Sequence, residues 1–270
     1  MTTATISRPA QAAGHYGFRS AARMEWLKLR SVRSTAWVML VFAAGLIGLA
    51  ILVLAHQHWA TMSAADRASF DPVNQGFTGL TIGQLAFGVL GVLMITSEFS
   101  SGLIRATLAA VPSRPLLLAA KAAVLGAVVL AVGEIMAFAA FAVGEAVLRS
   151  PAPHATLGQS GVLRAVLMAG AYPALIALIS LGIGAIIRHT AGAICALVGM
   201  VFVLPLLFFS LGSSVQNTAQ KFLPDTMRNS LTAVKPVAHM LSPGLTFGLL
   251  CAYAMVALAA GAWALARRDA

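Results

Sequence analysis

Long runs of apolar residues, separated by short polar or charged segments, dominate the chain. An α-helix rises about 1.5 Å per residue, so about 20 apolar residues cross the roughly 30 Å hydrocarbon core of a bilayer. Residues 165–211 contain only one charged residue, Arg188. A single helix of this length would be roughly 70 Å long, far more than the hydrocarbon core needs, so we expect the chain to fold back near Arg188. The pattern therefore predicts six membrane spans, at about residues 35–55, 78–95, 116–148, 165–187, 191–211 and 244–266.

The composition leads to the same fold class. Of the 270 residues, 59% are hydrophobic and 10% are charged, whereas soluble domains are about 45–50% apolar and about 25% charged. We therefore predict an all-α integral membrane protein with six transmembrane helices. The two cysteines, Cys195 and Cys251, lie within apolar runs and predict neither a disulfide framework nor a metal site.

Basic residues outnumber acidic residues by 18 to 8, which gives a net charge of +10. Nucleic-acid-binding proteins cluster such charge on a water-facing surface, whereas apolar runs separate it here, so we expect no nucleic-acid partner. Twelve of the 18 basic residues lie in segments on the same side as both termini. By the positive-inside rule, we expect a multi-pass protein of the cell membrane with both termini in the cytoplasm.

The residues before the first span predict a surface helix. Residues 1–15 are small and polar and predict a flexible cytoplasmic tail. In residues 16–34 an apolar helix face lies beside a basic stripe, which predicts an amphipathic helix on anionic membrane lipids. The apolar face contains Phe18, Ala22 and Leu29, and the stripe contains Arg19, Arg23 and Arg30. A basic flank that only sets the topology is the alternative.

A second short amphipathic helix is predicted in the cytoplasm, over residues 97–112. Ser97 can cap this helix, and Pro112 would end it. Its apolar stripe consists of Ile104, Leu108 and Val111. The stripe is either a docking surface for another protein or a surface that packs against the predicted surface helix.

Outside the membrane, residues 212–242 are too long for a simple hairpin turn. Met227, Leu231 and Val234 stand at helical spacing and Pro236 closes the segment. This predicts an external re-entrant or amphipathic helix before the last span.

The sequence lacks the motifs that would indicate an enzyme. No lysine follows a glycine, which excludes a Walker A phosphate loop, and no histidine precedes a glutamate, which excludes an HExxH zinc site. No G-x-S-x-G nucleophile turn occurs. We therefore expect no catalytic residue, metal ion or cofactor in this chain. Energy for uphill transport would come from a partner's ATP or from an ion gradient.

Some residues within the spans are candidates for a transport role. Glu134, in the middle of span three, is either protonated and structural or part of a site coupled to protons or substrate. One small, polar face of span two indicates helix packing or a pathway lining. That face contains Thr81, Gln84, Gly88 and Gly91. In span five Pro205 can kink the helix beside aromatic residues that could bind a ligand or face lipid. These are Phe202, Phe208 and Phe209.

Four stretches resemble the type-2 ABC transporter permease family, in the form common in actinobacteria. They are MEWLKLRSVRSTAW (24–37), LTIGQLAFGVLGVLMITSEFSSGLIRATLAAVPSRPLLLAAK (80–121), IIRHTAGAICALVG (186–199) and LARRDA (265–270). The most specific part is ITSEFSSGLIRATLAAVPSR, whereas the other spans match mainly in hydropathy. The family has six spans, an N-terminal surface helix, a coupling helix after span two and an external re-entrant region before span six.

The resemblance implies the membrane subunit of an ABC exporter, in which two permease copies pair with two ATPase subunits that bind ATP and Mg²⁺. Family members are associated with export of drugs, antibiotics, peptides or lipid-like molecules. The coupling helix would touch the ATPase through Glu98, Ile104, Arg105, Leu108, Val111 and Arg114. The pathway would lie between the two copies, and its candidate residues are Thr81, Gln84, Phe87, Phe202, Phe208 and Phe209.

Glu98 lies where span two leaves the membrane, and its carboxylate needs a partner or water. The family architecture puts the surface helix nearby, so we expect the partner to be Arg19, Arg23, Lys28 or Arg30. Such a pair would pass motion of the ATPase to spans one and two. Two other functions remain open: a secondary transporter driven by protons through Glu134, and an immunity or sensory membrane protein that transports nothing.

Overall fold

The computed structural model describes residues 17–57, 59–110, 113–210, 218–235 and 240–267. The predicted tail at 1–15, together with Val111, Pro112 and Pro236, lies outside the described residues. The described residues form helices and no strand. The α-helices are α1 (Phe18–Ser31), α2 (Arg33–Ala55), α3 (Ala64–Ser69), α4 (Pro72–Gly76), α5 (Leu80–Ser100), α6 (Leu103–Ala110), α7 (Arg114–Val147), α8 (Val162–Ile187), α9 (Thr190–Val198), α10 (Leu204–Ser210), α11 (Pro224–Thr232) and α12 (Pro243–Arg267).

Six helical segments of the described residues are long and apolar enough to cross a membrane. They are α2, α5, α7, α8, the segment Thr190–Phe208 that contains α9, and α12. The predicted bounds agree to within a few residues, except that α5 continues past residue 95 to Ser100. The prediction of an all-α protein with six spans is therefore confirmed.

Helix α5 continues past Ser97 and ends at Ser100. The Ser97 hydroxyl donates to Leu93 O at 2.6 Å, within α5, and does not cap a new helix. The chain turns at Gly102, whose φ of 72° lies in the left-handed region that favours glycine, and α6 begins at Leu103. The prediction of one helix over 97–112 is therefore wrong at its start, because residues 97–100 belong to the membrane span.

Helix α8 packs against α5 and α7 through backbone contacts that require glycine. A Cβ on Gly91 of α5 would overlap the carbonyl oxygen of Ala177 in α8. A Cβ on Gly133 of α7 would overlap the carbonyl oxygen of Gly170 in α8. Small residues at membrane helix crossings let two backbones approach closely. The small residues of span two therefore form a helix-packing surface, one of the two interpretations that the sequence leaves open.

The fifth span contains one turn of π-helix, Gly199–Val203, just before Pro205. Leu204 N donates to Gly199 O, five residues earlier. A proline has no N–H group, and its ring clashes with the carbonyl four residues earlier in a regular α-helix. The widened turn lets the span continue past Pro205. The irregularity that the sequence predicts at Pro205 is therefore a turn of π-helix just before the proline.

The segment between the last two spans contains α11, at the predicted place. Pro224 occupies the first turn, where a missing N–H group leaves no intrahelical bond unmade. Met227 and Leu231 are buried in one apolar cluster with residues of α8 and α12. Val234, predicted to lie on the same helix, follows the end of α11. Helix α11 therefore joins α8 and α12 at the end of the bundle opposite α1.

Gly91→Ala should destabilise the protein by about 1–3 kcal/mol, because the methyl group would push α5 away from the backbone of α8. Gly48→Ala is the matched control, since a Cβ on Gly48 in α2 has no atom within 4 Å. This control should be neutral or stabilising, as alanine favours helix more than glycine does. Thermal unfolding of the purified proteins in detergent measures both effects. Equal melting temperatures of the two variants would contradict the close contact between α5 and α8.

Candidate functional site

Four charged side chains meet where one end of the helical bundle adjoins α1. They are Glu25 and Lys28 of α1, Glu98 of α5 and Lys121 of α7, named the ion cluster below. Within α1 the buried positions are Ala21, Glu25 and Leu29, each four residues from the next. Residues four apart share one helix face, so Glu25 lies on the face that packs against the bundle. Three helices distant in sequence therefore contribute to one site.

Lys121 is the centre of the ion cluster. Its side chain is 0% exposed, and Nζ donates to Glu25 Oε2 at 2.8 Å and to Glu98 Oε1 at 2.6 Å. A third hydrogen bond goes to Met94 O at 3.3 Å. An ammonium group has three N–H donors, so all three are used. A buried charge is stable only when it is paired and hydrogen-bonded, and Lys121 meets both conditions.

Lys28 contacts the same two carboxylates from the outer side of the cluster. Its Nζ lies 3.1 Å from Glu25 Oε1 and 2.8 Å from Glu98 Oε1, and its side chain is 39% exposed. Burial of the ammonium group disfavours its charge, but the hydrogen bond to Glu98 and the two nearby carboxylates outweigh this effect. The pKa of Lys28 is therefore raised above its ordinary value. Two ammonium and two carboxylate groups give the cluster no net charge.

One of the four basic residues expected beside Glu98, Lys28, forms an ion pair with it. The other three, Arg19, Arg23 and Arg30, have exposed side chains. The sequence interpretation missed Glu25 and Lys121 as members of the site. The sequence nevertheless carried a signal for both residues. Glu25 is an acid on the apolar face of a basic helix, and Lys121 is a lysine inside the apolar start of a span, so each needs a partner of opposite charge. That Glu98 transmits motion of an ATPase stays a prediction.

Helix α6 packs its apolar stripe inward. Ile104 is buried in a cluster with Ala21 of α1 and Leu117 of α7, and Leu108 packs against the same cluster. Of the two interpretations of this stripe, packing against the predicted surface helix is the one observed, and docking of a partner on Ile104 is wrong. Val111, the third member of the stripe, lies outside the described residues. Arg105 is exposed on the other side of α6.

Arg114 and Arg188 both bind the last carbonyl groups of α12. Arg114 Nη1 donates to Leu265 O at 2.6 Å, and Arg188 Nη2 donates to Ala264 O at 3.0 Å. The last four carbonyls of a helix have no intrahelical partner, so the two guanidinium groups complete this helix end. Arg114 was predicted to touch an ATPase, and in the structure it fixes the end of span six to the start of span three.

Two predicted pathway residues, Gln84 and Phe87, are fully buried within a single chain. Gln84 Nε2 donates to Asp225 Oδ1 at 3.2 Å, and Gln84 Oε1 accepts from the hydroxyl of Tyr172. Gln84 therefore connects α5 to α8 and α11, and it does not line an open pathway in this structure. The prediction that its helix face lies at an interface between two copies is corrected accordingly. Thr81, the third candidate in span two, is half-buried.

The fifth span is the least enclosed of the six. Phe202 is exposed and Phe208 is half-buried, while the side chain of Phe209 lies outside the described residues. Leu206, between them, exposes 70% of its surface. The span thus presents an apolar face that the described part of the chain leaves uncovered. The predicted aromatic candidates lie on this open span, whereas Gln84 lies inside the bundle.

Glu134 is half-buried on α7, where α7 crosses α8. A Cβ on Gly170 of α8 would lie within 2.7 Å of Glu134 Oε2, so the glycine makes room for the carboxyl group. No donor among the described residues reaches this buried oxygen. The structure therefore places the carboxyl group of Glu134 at a helix crossing. A role of Glu134 in proton coupling stays a prediction.

The family model described as ABC-2 family transporter protein matches residues 21–205. This match includes more than half of the chain and all four residues of the ion cluster. The chain belongs to this family of transporter permeases. ABC-2 permeases are multi-pass membrane subunits, generally non-catalytic, and the family implies association with an ABC ATPase. No curated protein matches the chain.

Lys121→Met should destabilise the permease by about 3–5 kcal/mol, because it leaves two buried carboxylates without their main partner. Lys28→Met is the matched comparison and should cost about 1 kcal/mol or less, because Lys28 is partly exposed and Lys121 still holds both carboxylates. Thermal unfolding in detergent measures both.

The same measurement on Glu98→Gln combined with Lys121→Met tests whether the residues act together. The double variant should lose less stability than the sum of the two single losses, since each change removes the partner of the other. Additive losses, or equal losses for the two lysine variants, would contradict a cluster centred on Lys121.

Proposed function

We propose that the chain is the transmembrane subunit of an ABC exporter in the cell membrane, with both termini in the cytoplasm. Two copies form the pathway, and two separate ATPase subunits bind ATP and Mg²⁺ and drive export of a drug-, antibiotic-, peptide- or lipid-like substrate. The observation that carries the proposal is the position of α6, a short helix packed on α1 and α7 beside the ion cluster. Membership of the ABC-2 family supports the ATPase partner.

The exposed side of α6 is the proposed contact for the ATPase. Leu103 and Arg105 are exposed, while Ile104 packs inward against α1 and α7. A force on the exposed side would therefore reach α1 and α7 through Ile104. Because the ion cluster pairs charges of α1, α5 and α7, these three helices would move together. Glu98 would act as a member of the cluster and not as a contact of the ATPase.

A second copy of the chain is the proposed partner of the fifth span. The helices α5, α7 and α8 approach one another at glycine positions, which leaves little room between them for a drug-sized passage. The apolar face around Phe202 and Leu206 is exposed in the single chain. A pathway between two copies would therefore use this face, where aromatic side chains suit an apolar ligand.

A proton-driven carrier is the second candidate function. The observation in its favour concerns Glu134 Oε2, which is buried and has no donor among the described residues. A carboxyl group that binds and releases a proton within the membrane would lie in such a place. Glu134→Gln separates the two candidates. An ATP-driven exporter should keep most of its transport in this variant, whereas a proton-driven carrier should stop.

Arg105→Glu should reduce copurification of the ATPase subunit and the ATPase activity of the complex at least several-fold, because it reverses the exposed charge of α6. The test uses an ABC ATPase subunit, taken first from any reading frame next to the permease gene that encodes a Walker A motif. Arg149→Glu, which reverses an exposed charge on the connection after α7, is the matched control and should keep both. If the chain transports substrate without any ATPase, and if this transport is lost in Glu134→Gln, the exporter proposal is overturned in favour of the proton-driven carrier.

Leu206→Cys, in a chain without Cys195 and Cys251, should cross-link to a second copy in native membranes, because its side chain is exposed on the fifth span. Ile135→Cys is the matched control, since Ile135 on α7 is 63% exposed and also apolar. Gel electrophoresis after oxidation detects the dimer. A dimer trapped from Ile135→Cys and not from Leu206→Cys would contradict the proposed interface.

A further inference from the structure

A cavity of about 360 Å³ lies beside the ion cluster, between α1, the start of α2, α5 and the start of α6. Its volume falls within the range of about 300 to 1,000 Å³ that is typical of small-molecule sites. Leu90, Leu93 and Met94 of α5 line one part of it, and Glu98, Ser97 and Ser31 line another. None of the predicted pathway residues belongs to its wall.

Along α5 the wall of the cavity changes from the apolar Leu90, Leu93 and Met94 to the polar Ser97 and Glu98. Leu90 and Glu98 are eight residues apart on α5, which corresponds to roughly 12 Å along the helix axis. The polar part of this wall lies at the end of the span, and the apolar part extends into it. A ligand that matches this gradient has a polar head and an apolar body, as membrane amphiphiles do.

The polar part of the wall carries one carboxylate oxygen without a partner. Both lysines of the ion cluster bind Glu98 Oε1. Glu98 Oε2 is buried, and no donor among the described residues reaches it. A buried acceptor without a hydrogen bond destabilises the folded protein, more so if it is charged, so a donor supplied by a ligand would be favourable.

The neighbouring side chains also offer acceptors. The hydroxyl of Ser31 donates to Lys28 O, and the hydroxyl of Ser97 donates to Leu93 O. With their protons used in this way, both oxygens can only accept from a ligand. Lys28 has three N–H donors, of which two bind Glu25 and Glu98. This part of the wall therefore presents acceptor oxygens on Glu98, Ser31 and Ser97. Its possible donors are one N–H of Lys28 and the hydroxyl groups of Ser34 and Thr35, which can also accept.

The charged groups that line the cavity are Glu25, Lys28 and Glu98, with Lys121 behind them. The four charges sum to zero, so charge alone would not select a cation strongly. Donation of hydrogen bonds would select one cation over another. A primary ammonium group has three N–H donors, whereas a quaternary ammonium group has the same charge and none.

We propose that this cavity binds an amphiphile with a primary ammonium head, whose apolar body lies along α5 towards Leu90. The head donates to Glu98 Oε2 once a small rotation of the carboxylate turns this buried oxygen into the cavity. The ligand comes either from the bilayer, as phosphatidylethanolamine, or from solution, as an amphiphilic amine. The proposal does not rest on the proposed exporter function, since binding requires neither an ATPase nor a second copy.

The test compares two photoreactive probes on the full chain in nanodiscs of phosphatidylcholine and phosphatidylglycerol, without nucleotide. One probe is an alkylamine with a diazirine in its chain, and the other is its N,N,N-trimethyl analogue. A hydrogen bond to a charged group contributes about 1.5–3 kcal/mol, so the amine should bind at least about tenfold more tightly. Mass spectrometry of the labelled peptides should locate the amine on residues of the cavity wall.

Two variants locate the site. Leu93→Trp fills the apolar part of the cavity without touching the ion cluster, and it should abolish labelling of the wall. Ile135→Trp introduces the same side chain at an exposed, apolar position of α7. This matched control should leave labelling intact. Glu98→Gln should reduce the preference for the amine over its trimethyl analogue. If that variant is too unstable to purify, Leu93→Trp and the probe pair still test the proposal.

Replacing phosphatidylcholine with phosphatidylethanolamine distinguishes the two sources of the ligand. These lipids differ in the same way as the probes, since phosphatidylcholine has a quaternary head and phosphatidylethanolamine a primary one. Reduced labelling in phosphatidylethanolamine identifies the lipid as the occupant, and unchanged labelling identifies a soluble amine. Equal affinity for the two probes, or labelling that survives Leu93→Trp, would overturn the proposal whatever the outcome for ATP-driven export.

Discussion

The structure depends on one buried ammonium group. Lys121 Nζ has no contact with solvent, and an isolated charge in such a place would be strongly unfavourable. Two carboxylates from two other helices, Glu25 and Glu98, remove that cost. The position of α1 is therefore determined by electrostatics as well as by its apolar face. If α1 moved away, a carboxylate would leave Lys121 and an unpaired charge would remain in the bundle.

Helix α5 is held by polar contacts near both of its ends. Glu98 binds the two lysines at one end, and Gln84 binds Tyr172 and Asp225 at the other. The two side chains are 14 residues apart, which is roughly 21 Å along the helix. Between them the helix approaches α8 at Gly91. A rearrangement of α5 must therefore move α1 and α7 with it or break a buried ion pair. A concerted movement of α1, α5 and α7 therefore costs less free energy than an independent movement of α5.

The six spans could be predicted because their cause is local: about 20 apolar residues in a row satisfy a bilayer whatever else the chain does. The start of α6 was missed because Ser97 suits an N-cap, although Gly102 carried the stronger signal for a helix end. The contact of Lys121 with Glu25 joins residues 96 positions apart, and no local pattern specifies it. The face of Gln84 was ambiguous because small polar residues serve both helix packing and pathways, and only the tertiary structure decides between them.

Lys28 and Lys121 bind the same two carboxylates but differ in what their removal would expose. Lys121 is enclosed, so its departure would leave buried anions. Lys28 is partly exposed and flexible enough to turn towards water, while Lys121 continues to neutralise the carboxylates. The exchangeable position in the ion cluster is therefore the outer one, next to the cavity. A donor that enters from the membrane or the adjoining solution can bind Glu98 Oε2, which neither lysine uses, without disturbing the pairing that holds α1, α5 and α7 together.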